Sequence, residues 1–135
     1  MVAGLLAFSI AAYAETVVEL GKPTGFVNDY AHVLNSDSKS RLTAICDELN
    51  DTNGTELAIV TIKTTGGRSI ENFAQELFES WGIGKEGTNN GVLILIAVND
   101  RKWRVLTGYG VEGALTDTLA KRIMENEAVG EFHNG

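Results

Sequence analysis

Four acidic residues at the ends of predicted elements carry the clearest chemical potential in this chain. Asp29, Asp100, Glu112 and Asp117 all fall in loops or in the first turn of a helix. Calcium and magnesium bind several carboxylate and carbonyl oxygens at short range, so acidic residues that converge in a fold predict a divalent-cation site. Arg101, next to Asp100, could bind an anion such as phosphate. The residue types therefore raise metal-assisted chemistry on a phosphomonoester as one hypothesis.

Each acidic residue also has an ordinary structural interpretation. Asp117 suits the first turn of a helix because the helix dipole favours a negative charge there. Asp100 stands in an Asn-Asp-Arg-Lys run that is typical of a turn, and Asp29 could do no more than stabilise a loop. The residue types alone leave both interpretations open.

Other catalytic patterns are weak or missing in the sequence. The two histidines, His32 and His133, are not clustered with further zinc ligands, and no nucleophile elbow or P-loop pattern occurs. Two segments match G-x-G-x-x-G, at 82–87 and at 108–113. The first lies between a predicted helix and a predicted strand, which is the wrong order for a dinucleotide fingerprint. The second follows the return strand of a predicted hairpin, and we interpret it as a tight turn.

Composition and the N-terminus predict one extracytoplasmic domain. The chain has 135 residues, 44% of them hydrophobic, and a formal net charge of −7, whereas nucleic-acid binding needs a basic surface. Residues 1–14 form an uncharged apolar run ending in Ala-Tyr-Ala, which predicts a secretory signal peptide; the alternative is a buried N-terminal strand or helix. Residues 15–25 read as an extended leader to a domain over 26–135. No other segment is apolar enough to cross a membrane. The single cysteine, Cys46, is predicted to be buried.

Hydrophobic spacing predicts the elements that must position the polar residues. Apolar residues at i, i+3, i+4 and i+7 indicate helices, and short β-branched runs between them indicate buried strands. A polar turn joins the last two strands, which predicts a hairpin. In chain order the prediction is a helix over 36–51, a strand over 57–62, a helix over 70–81, strands over 92–98 and 103–107, and a helix beginning near Thr116.

This order of elements predicts an α/β fold, a three-layer α/β/α sandwich with a small mixed sheet. The strands over 57–62 and 92–98 are joined through a helix, so we expect a parallel, right-handed crossover between them. The return strand of the hairpin should then run antiparallel to its neighbour.

The expected topology also groups the acidic residues. The loop over 108–112 should lie at the open end of the hairpin, with the first turn of the last helix nearby. We therefore expect Glu112, Asp117 and Asp29 to converge at one edge of the sheet. Asp100 should lie at the opposite edge, at the hairpin tip.

Several separated motifs occur along the chain in order. They read G-F-V-N-D-Y-A at 25–31, W-G-I-G at 81–84, N-G-V-L at 90–93, N-D-R at 99–101 and T-G-Y-G at 107–110. The last is followed by Glu112, Leu115, Thr116 and Asp117. Together these motifs resemble the TPM domain over residues 25–135.

The resemblance implies an α/β/α sandwich that works in the periplasm, at the cell exterior or in the thylakoid lumen. Some members of the family are acid phosphatases and some bind calcium or similar ions, and plant and cyanobacterial members are linked to photosystem II maintenance. Carried over by position, the polar candidates are Asp29, Asp100, Arg101, Glu112 and Asp117.

Two departures from the family pattern concern the C-terminal part. The family usually has a proline soon after the third helix, where this chain has Ala128-Val129-Gly130. The family also has a final helix that would lie beyond Gly135, so we expect either a domain that is truncated at its C-terminus or one that closes differently.

Two functional hypotheses follow. The first is a divalent-metal-dependent acid phosphatase, in which Ca²⁺ or Mg²⁺ is held by Asp29, Glu112 and Asp117, with Asp100 as a further candidate ligand. Asp117 and Arg101 are then the candidate catalytic residues. The second is a non-catalytic module that binds calcium or a partner and supports membrane-protein assembly or repair. The acidic charge and the lack of a nucleophile–base pair in the sequence favour the second hypothesis.

Overall fold

The computed structural model describes residues 16–84 and 90–108. Over these residues the chain forms an α/β fold with three helices and a four-stranded mixed sheet, as the sequence predicts. The elements are α1 (Val17–Leu20), β1 (Val27–Asp29), α2 (Ser36–Asn53), β2 (Glu56–Ile62), α3 (Ile70–Trp81), β3 (Gly91–Ala97) and β4 (Lys102–Thr107).

Helix α2 begins at the predicted position and runs two residues beyond the predicted end. Asn35 caps it, because its side-chain oxygen accepts a hydrogen bond from the Ser38 amide at 2.8 Å. Leu42 and Cys46 are fully buried on its inner side. Burial raises the pKa of the Cys46 thiol to about 12, so this side chain is a protonated core residue rather than a reactive thiol.

Helix α3 follows the strongest apolar stripe of the sequence. The Ser69 hydroxyl caps its N-terminus by accepting a hydrogen bond from the Asn72 amide at 3.3 Å. Gly82 ends the helix in the left-handed conformation, with φ of 60°, which glycine adopts without a steric penalty. The inner face buries Ile70, Phe73, Ala74 and Leu77.

The sheet has the order β1-β2-β3-β4. Strands β1 and β2 are parallel, as are β2 and β3, which pair along seven residues from Glu56 opposite Gly91 to Ile62 opposite Ala97. Strand β4 returns antiparallel to β3. The parallel direction predicted for β2 and β3 and the predicted hairpin are therefore both confirmed.

Alternate residues of each strand face two separate cores, which produces the predicted three layers. On one face, α2 packs against β1 and β2 through a core that includes Leu42, Ile59 and Ile94. On the other face, α1 and α3 pack against a core that includes Phe73 and Leu95. Strands β2 and β3 are consequently buried on both faces.

The two helical crossovers have opposite hands. The chain steps from β1 to β2 and from β2 to β3 in the same direction across the sheet, yet α2 and α3 lie on opposite faces. Two right-handed crossovers in one direction would place both helices on the same face, so one of the two departs from the usual right-handed rule.

The structure corrects the sequence prediction in the leader. Residues 15–25 were predicted to be extended, but residues 17–20 form one helical turn, and its two buried residues, Val17 and Leu20, pack on the side of α3. So short a helix is held by tertiary contacts: the Tyr30 hydroxyl donates to the Leu20 carbonyl at 3.1 Å. Strand β1 was also not predicted, since its three residues contain a single apolar side chain, Val27.

Candidate functional site

Asp29, the last residue of β1, fixes the turn that follows its strand. Its Oδ1 accepts hydrogen bonds from the Thr61 hydroxyl at 2.6 Å and the Val33 amide at 3.1 Å. Its Oδ2 accepts one from the Leu34 amide at 3.0 Å. Thr61 lies opposite Asp29 on β2, and its oxygen accepts a further bond from the Ala31 amide at 3.2 Å. The carboxylate therefore stabilises the loop, one of the two interpretations that the sequence allows.

Asp100 joins the hairpin tip to the loop that follows β2. Its Oδ1 accepts a hydrogen bond from the Thr64 hydroxyl at 2.7 Å, and its Oδ2 accepts one from the Thr65 amide at 2.9 Å. The Thr65 hydroxyl shares its one proton between Oδ2, at 3.2 Å, and the Arg68 carbonyl, at 2.7 Å. Burial acts to raise the pKa of this carboxyl, but these hydrogen bonds and the nearby Lys102 outweigh it and lower the pKa below the ordinary 3.8. Asp100 is therefore ionised at neutral pH.

Two non-glycine residues in the turns beside these carboxylates have left-handed backbones. His32, with φ of 56°, closes the turn after β1, where its amide donates to the Asp29 carbonyl at 3.2 Å. Arg101, with φ of 54°, closes the hairpin turn, where its amide donates to the Val98 carbonyl at 3.2 Å. Such conformations are uncommon for residues with a side chain and recur at binding and catalytic sites. Both side chains are exposed.

The structure places Asp29 and Asp100 at the same end of the sheet. Because β1, β2 and β3 are parallel, the residues that end them meet at one edge, which we call the carboxyl edge. The expectation that Asp29 and Asp100 lie at opposite ends is therefore wrong. Gly108 leaves β4 at the other end, where its amide donates to the Gly91 carbonyl at 2.9 Å. The two remaining candidates, Glu112 and Asp117, lie outside the described residues.

The opposite hands of the crossovers also shape the carboxyl edge. The chain leaves β1 toward the face covered by α2 and leaves β2 toward the face covered by α3. Adjacent strands whose connections diverge in this way leave a crevice at their carboxyl ends, the usual place for ligands in open α/β sheets. The hydrogen bond between Thr61 and Asp29 joins β2 to β1 at this position.

The carboxyl edge offers oxygen ligands of the type that calcium and magnesium prefer, but too few of them for a complete site. Within residues 16–84 and 90–108, no three histidine, cysteine or acidic side chains are grouped to hold a metal ion. The carboxylates of Asp29 and Asp100 each accept three hydrogen bonds, which leaves about one of their roughly four lone-pair sites. A cation bound here would need ligands from the rest of the chain or from water.

Sequence reasoning missed the threonines that hold both carboxylates. Thr61, Thr64 and Thr65 all stand at or just after the end of β2. The available signal was the hydroxyl-rich run Thr-Ile-Lys-Thr-Thr that closes a buried strand. The partners themselves are 32 to 36 residues away in sequence, and only the sheet pairing brings them together.

The sequence profile of the TPM domain matches residues 27–135. The chain belongs to the TPM domain family. The assignment made from the separated motifs is therefore confirmed, and the carboxyl edge described above is the edge of a TPM-domain sheet. No curated protein matches the chain.

Two solved structures share this TPM fold. One is the solution NMR structure of the N-terminal domain of a protein from P. gingivalis, with a TM-score of 0.73 and 29% sequence identity, covering 90% of this chain and 81% of that one. The other is the solution NMR structure of the N-terminal domain of the cg2496 protein from Corynebacterium glutamicum, with a TM-score of 0.60 and 16% identity. It covers 81% of this chain and 73% of its own, and at this identity it supports the fold alone.

None of the helices in the described part of this TPM domain has the length and the apolar character that crossing a bilayer would require.

Proposed function

We propose that this TPM-domain protein is a divalent-cation-dependent acid phosphatase whose site lies at the carboxyl edge of the sheet. The observation that carries the proposal is that Asp29, Asp100 and Arg101 end or follow parallel strands at one edge. The sequence alone put Arg101 far from Asp29, which weakened this mechanism. Their common edge supports it, and so does the name of the family profile, TPM phosphatase.

The proposed roles follow from charge and exposure. Arg101 is exposed at the hairpin tip and would bind the oxygens of a phosphomonoester. Asp29 and Asp100 would contribute oxygen ligands to Ca²⁺ or Mg²⁺. Glu112 and Asp117, the other ligands that the sequence predicts, would join them only where the chain after Gly108 returns from the opposite end of the sheet to the carboxyl edge. Asp117 would also take part in catalysis. A bound cation would neutralise charge that develops on the transferring phosphoryl group.

Hydrolysis of p-nitrophenyl phosphate at mildly acidic pH tests this proposal. We expect a chelator to abolish turnover and added Ca²⁺ or Mg²⁺ to restore it. Asp117→Asn and Arg101→Ala should each lower kcat/KM by about 100-fold, because the first weakens the binding of the cation and the second removes a positive charge that offsets the charge on the phosphoryl group. Asp51→Asn, on the exposed side of α2, is the matched control and should leave turnover unchanged. Activity that survives both the chelator and Asp117→Asn would rule out this mechanism.

A non-catalytic module that binds calcium or a partner is the second candidate. It is supported by the three hydrogen bonds that already occupy each of the carboxylates of Asp29 and Asp100, an arrangement suited to holding turns. In this case a calorimetric titration would detect calcium binding to a protein that hydrolyses no phosphomonoester. Partners of such a module would be membrane proteins under assembly or repair.

The proposal includes a location outside the cytoplasm, with residues 1–14 removed as a signal peptide. Its support is the apolar run that ends in Ala-Tyr-Ala. Expression of the full chain in a bacterial host followed by N-terminal sequencing of the periplasmic fraction tests it. A mature protein that begins at Glu15 is expected, and an uncleaved cytoplasmic product would contradict it.

A further inference from the structure

A cavity of about 380 Å³ opens at the end of the sheet opposite the carboxyl edge. It lies where β1 and β2 begin, far along the strands from Asp29 and Asp100. Its volume falls within the range of small-molecule sites. Its described lining includes the apolar side chains of Pro23, Phe26, Ala58, Trp81 and Ile83 and one carboxylate, Glu56.

The walls of this cavity are held by specific hydrogen bonds. The Trp81 indole Nε1 donates to the Gly21 carbonyl at 2.8 Å, which fixes the ring against the leader. Asn28, only 2% exposed, accepts hydrogen bonds from the amide and hydroxyl of Thr24 at 2.9 and 3.0 Å and donates to the Gly25 carbonyl at 2.9 Å. The cavity is therefore largely formed before any ligand arrives, which lowers the entropic cost of binding.

Glu56 brings a negative charge to an otherwise apolar cavity. Its Oε2 accepts a hydrogen bond from the Gly84 amide, which fixes the carboxylate at the start of β2. Among the described residues no lysine or arginine forms an ion pair with it. Two aromatic residues, Phe26 and Trp81, line the same cavity as the Glu56 carboxylate.

We infer that this cavity binds a small organic cation, an ammonium or guanidinium group carried on a short hydrocarbon body. The Glu56 carboxylate would accept a charge-assisted hydrogen bond from the cationic group. The faces of Phe26 and Trp81 would attract the same charge, and the apolar lining would cover the hydrocarbon. The net charge of −7 favours cations over anions throughout the molecule. This site is independent of the proposed phosphatase site.

Titration of the ¹⁵N-labelled full chain with n-butylammonium, followed by NMR, tests the inference. The Trp81 indole N–H is the reporter, and Trp103→Phe identifies its signal because the chain has two tryptophans. We expect a saturable shift of this signal with butylammonium and none with 1-butanol or butanoate, which match it in length without the positive charge. Equal shifts with all three compounds, or no saturable shift with butylammonium, would overturn the inference.

Two variants assign the binding to the proposed groups. Glu56→Gln keeps an oxygen acceptor for the Gly84 amide but removes the charge, and should weaken butylammonium binding about tenfold. Phe26→Leu keeps an apolar wall but removes a ring face, and should weaken it about threefold. Glu48→Gln, on the exposed side of α2, is the matched control and should have no effect. Unchanged affinity in a folded Glu56→Gln protein would exclude the site.

A capped tripeptide with a central lysine separates two sources of the same cation. If it binds at least as tightly as butylammonium, the ligand is a side chain of a partner. If it produces no shift while butylammonium does, the ligand is a free amine. Phosphatase activity does not depend on the binding of butylammonium or of the tripeptide. A negative binding result would therefore contradict this inference without contradicting the proposed function.

Discussion

Asp29 and Asp100 hold two different turns by the same kinds of hydrogen bond. Each carboxylate ends or follows a strand and accepts a threonine hydroxyl from the end of β2 or just after it. Asp29 also accepts two backbone amides from its turn, and Asp100 accepts one. Charge-assisted hydrogen bonds of this kind are stronger than those between neutral groups. The two acidic residues therefore hold the turns of the carboxyl edge whether or not a cation binds there.

The lowered pKa of Asp100 predicts a pH-dependent contribution to stability. The folded-state pKa lies below the ordinary 3.8, so the ionised carboxylate stabilises the fold above that pH. The contribution is lost as the pH falls through the lowered value. Asp100→Asn should therefore reduce the free energy of unfolding by about 1 kcal/mol at neutral pH, an amount kept small by solvent screening.

Urea unfolding of wild type and Asp100→Asn across the acidic range measures this difference. The gap between the two proteins should narrow steadily below pH 3.8. Asp51→Asn, an exposed change on α2, should show a much smaller gap. A gap for Asp100→Asn that stays constant down to the acid transition would contradict the assignment.

The sequence predicts only part of the roles of Asp29 and Asp100. Their types and neighbours correctly predicted turns at Asp29 and Asp100. Their threonine partners depend on which strands pair, and strand β1 was too short to be predicted. Without β1, the sequence does not show that the chain runs parallel to β2 as it reaches Asp29. The sequence prediction therefore places Asp29 at the wrong end of the sheet.

At the scale of elements, the connection from α3 to β3 crosses the start of β3 at very close range. A Cβ atom on Gly84 would lie 2.6 Å from the Gly91 nitrogen, and one on Gly91 would lie 2.5 Å from the Ile83 carbonyl oxygen. Both neighbours are backbone atoms that cannot rotate away. The glycines at 82–84 that match a nucleotide fingerprint therefore serve a helix end and a backbone crossing instead.

This crossing predicts that neither glycine tolerates even alanine. Gly84→Ala and Gly91→Ala should each lower the free energy of unfolding by about 3 kcal/mol or more, because the added methyl group overlaps backbone and, at Gly84, φ is +91°. Gly25→Ala is the control: nothing lies within 4 Å of its added Cβ, and the change should stay within about 0.5 kcal/mol. Chemical denaturation measures the free energy of unfolding of all three variants. Equal values for the three would contradict the close backbone contact between Gly84 and Gly91.

Elements with a long periodic signal were predicted well, and short ones were not. α2, α3, β2, β3 and β4 match their predicted ranges to within about two residues. α1 consists of one turn that depends on the Tyr30 hydroxyl and the Trp81 indole, residues that its own sequence does not contain. Its conformation is a property of tertiary contacts, which a local pattern cannot encode.

At the scale of the whole molecule, burial on both faces makes β2 and β3 the most protected part of the described fold. Amides at Ile59, Val60, Ile94 and Leu95 should exchange with solvent only through global unfolding. Those at Leu20 and Gly21, bonded within a single turn, should exchange through local opening and much faster. Hydrogen exchange followed by NMR measures both groups, and similar protection of α1 and β3 would contradict this picture.

Three parallel strands followed by one antiparallel strand give the described sheet a further property. The chain enters the sheet at Val27 and leaves it at Thr107, and both residues lie at the same rim because β4 runs antiparallel to β3. The other rim consists, in the described residues, of turns. A carrier protein or a surface attached close to Val27 or Thr107 would hold the molecule at this rim. Asp29, Asp100 and Arg101 lie at the other rim and would face away from the attachment.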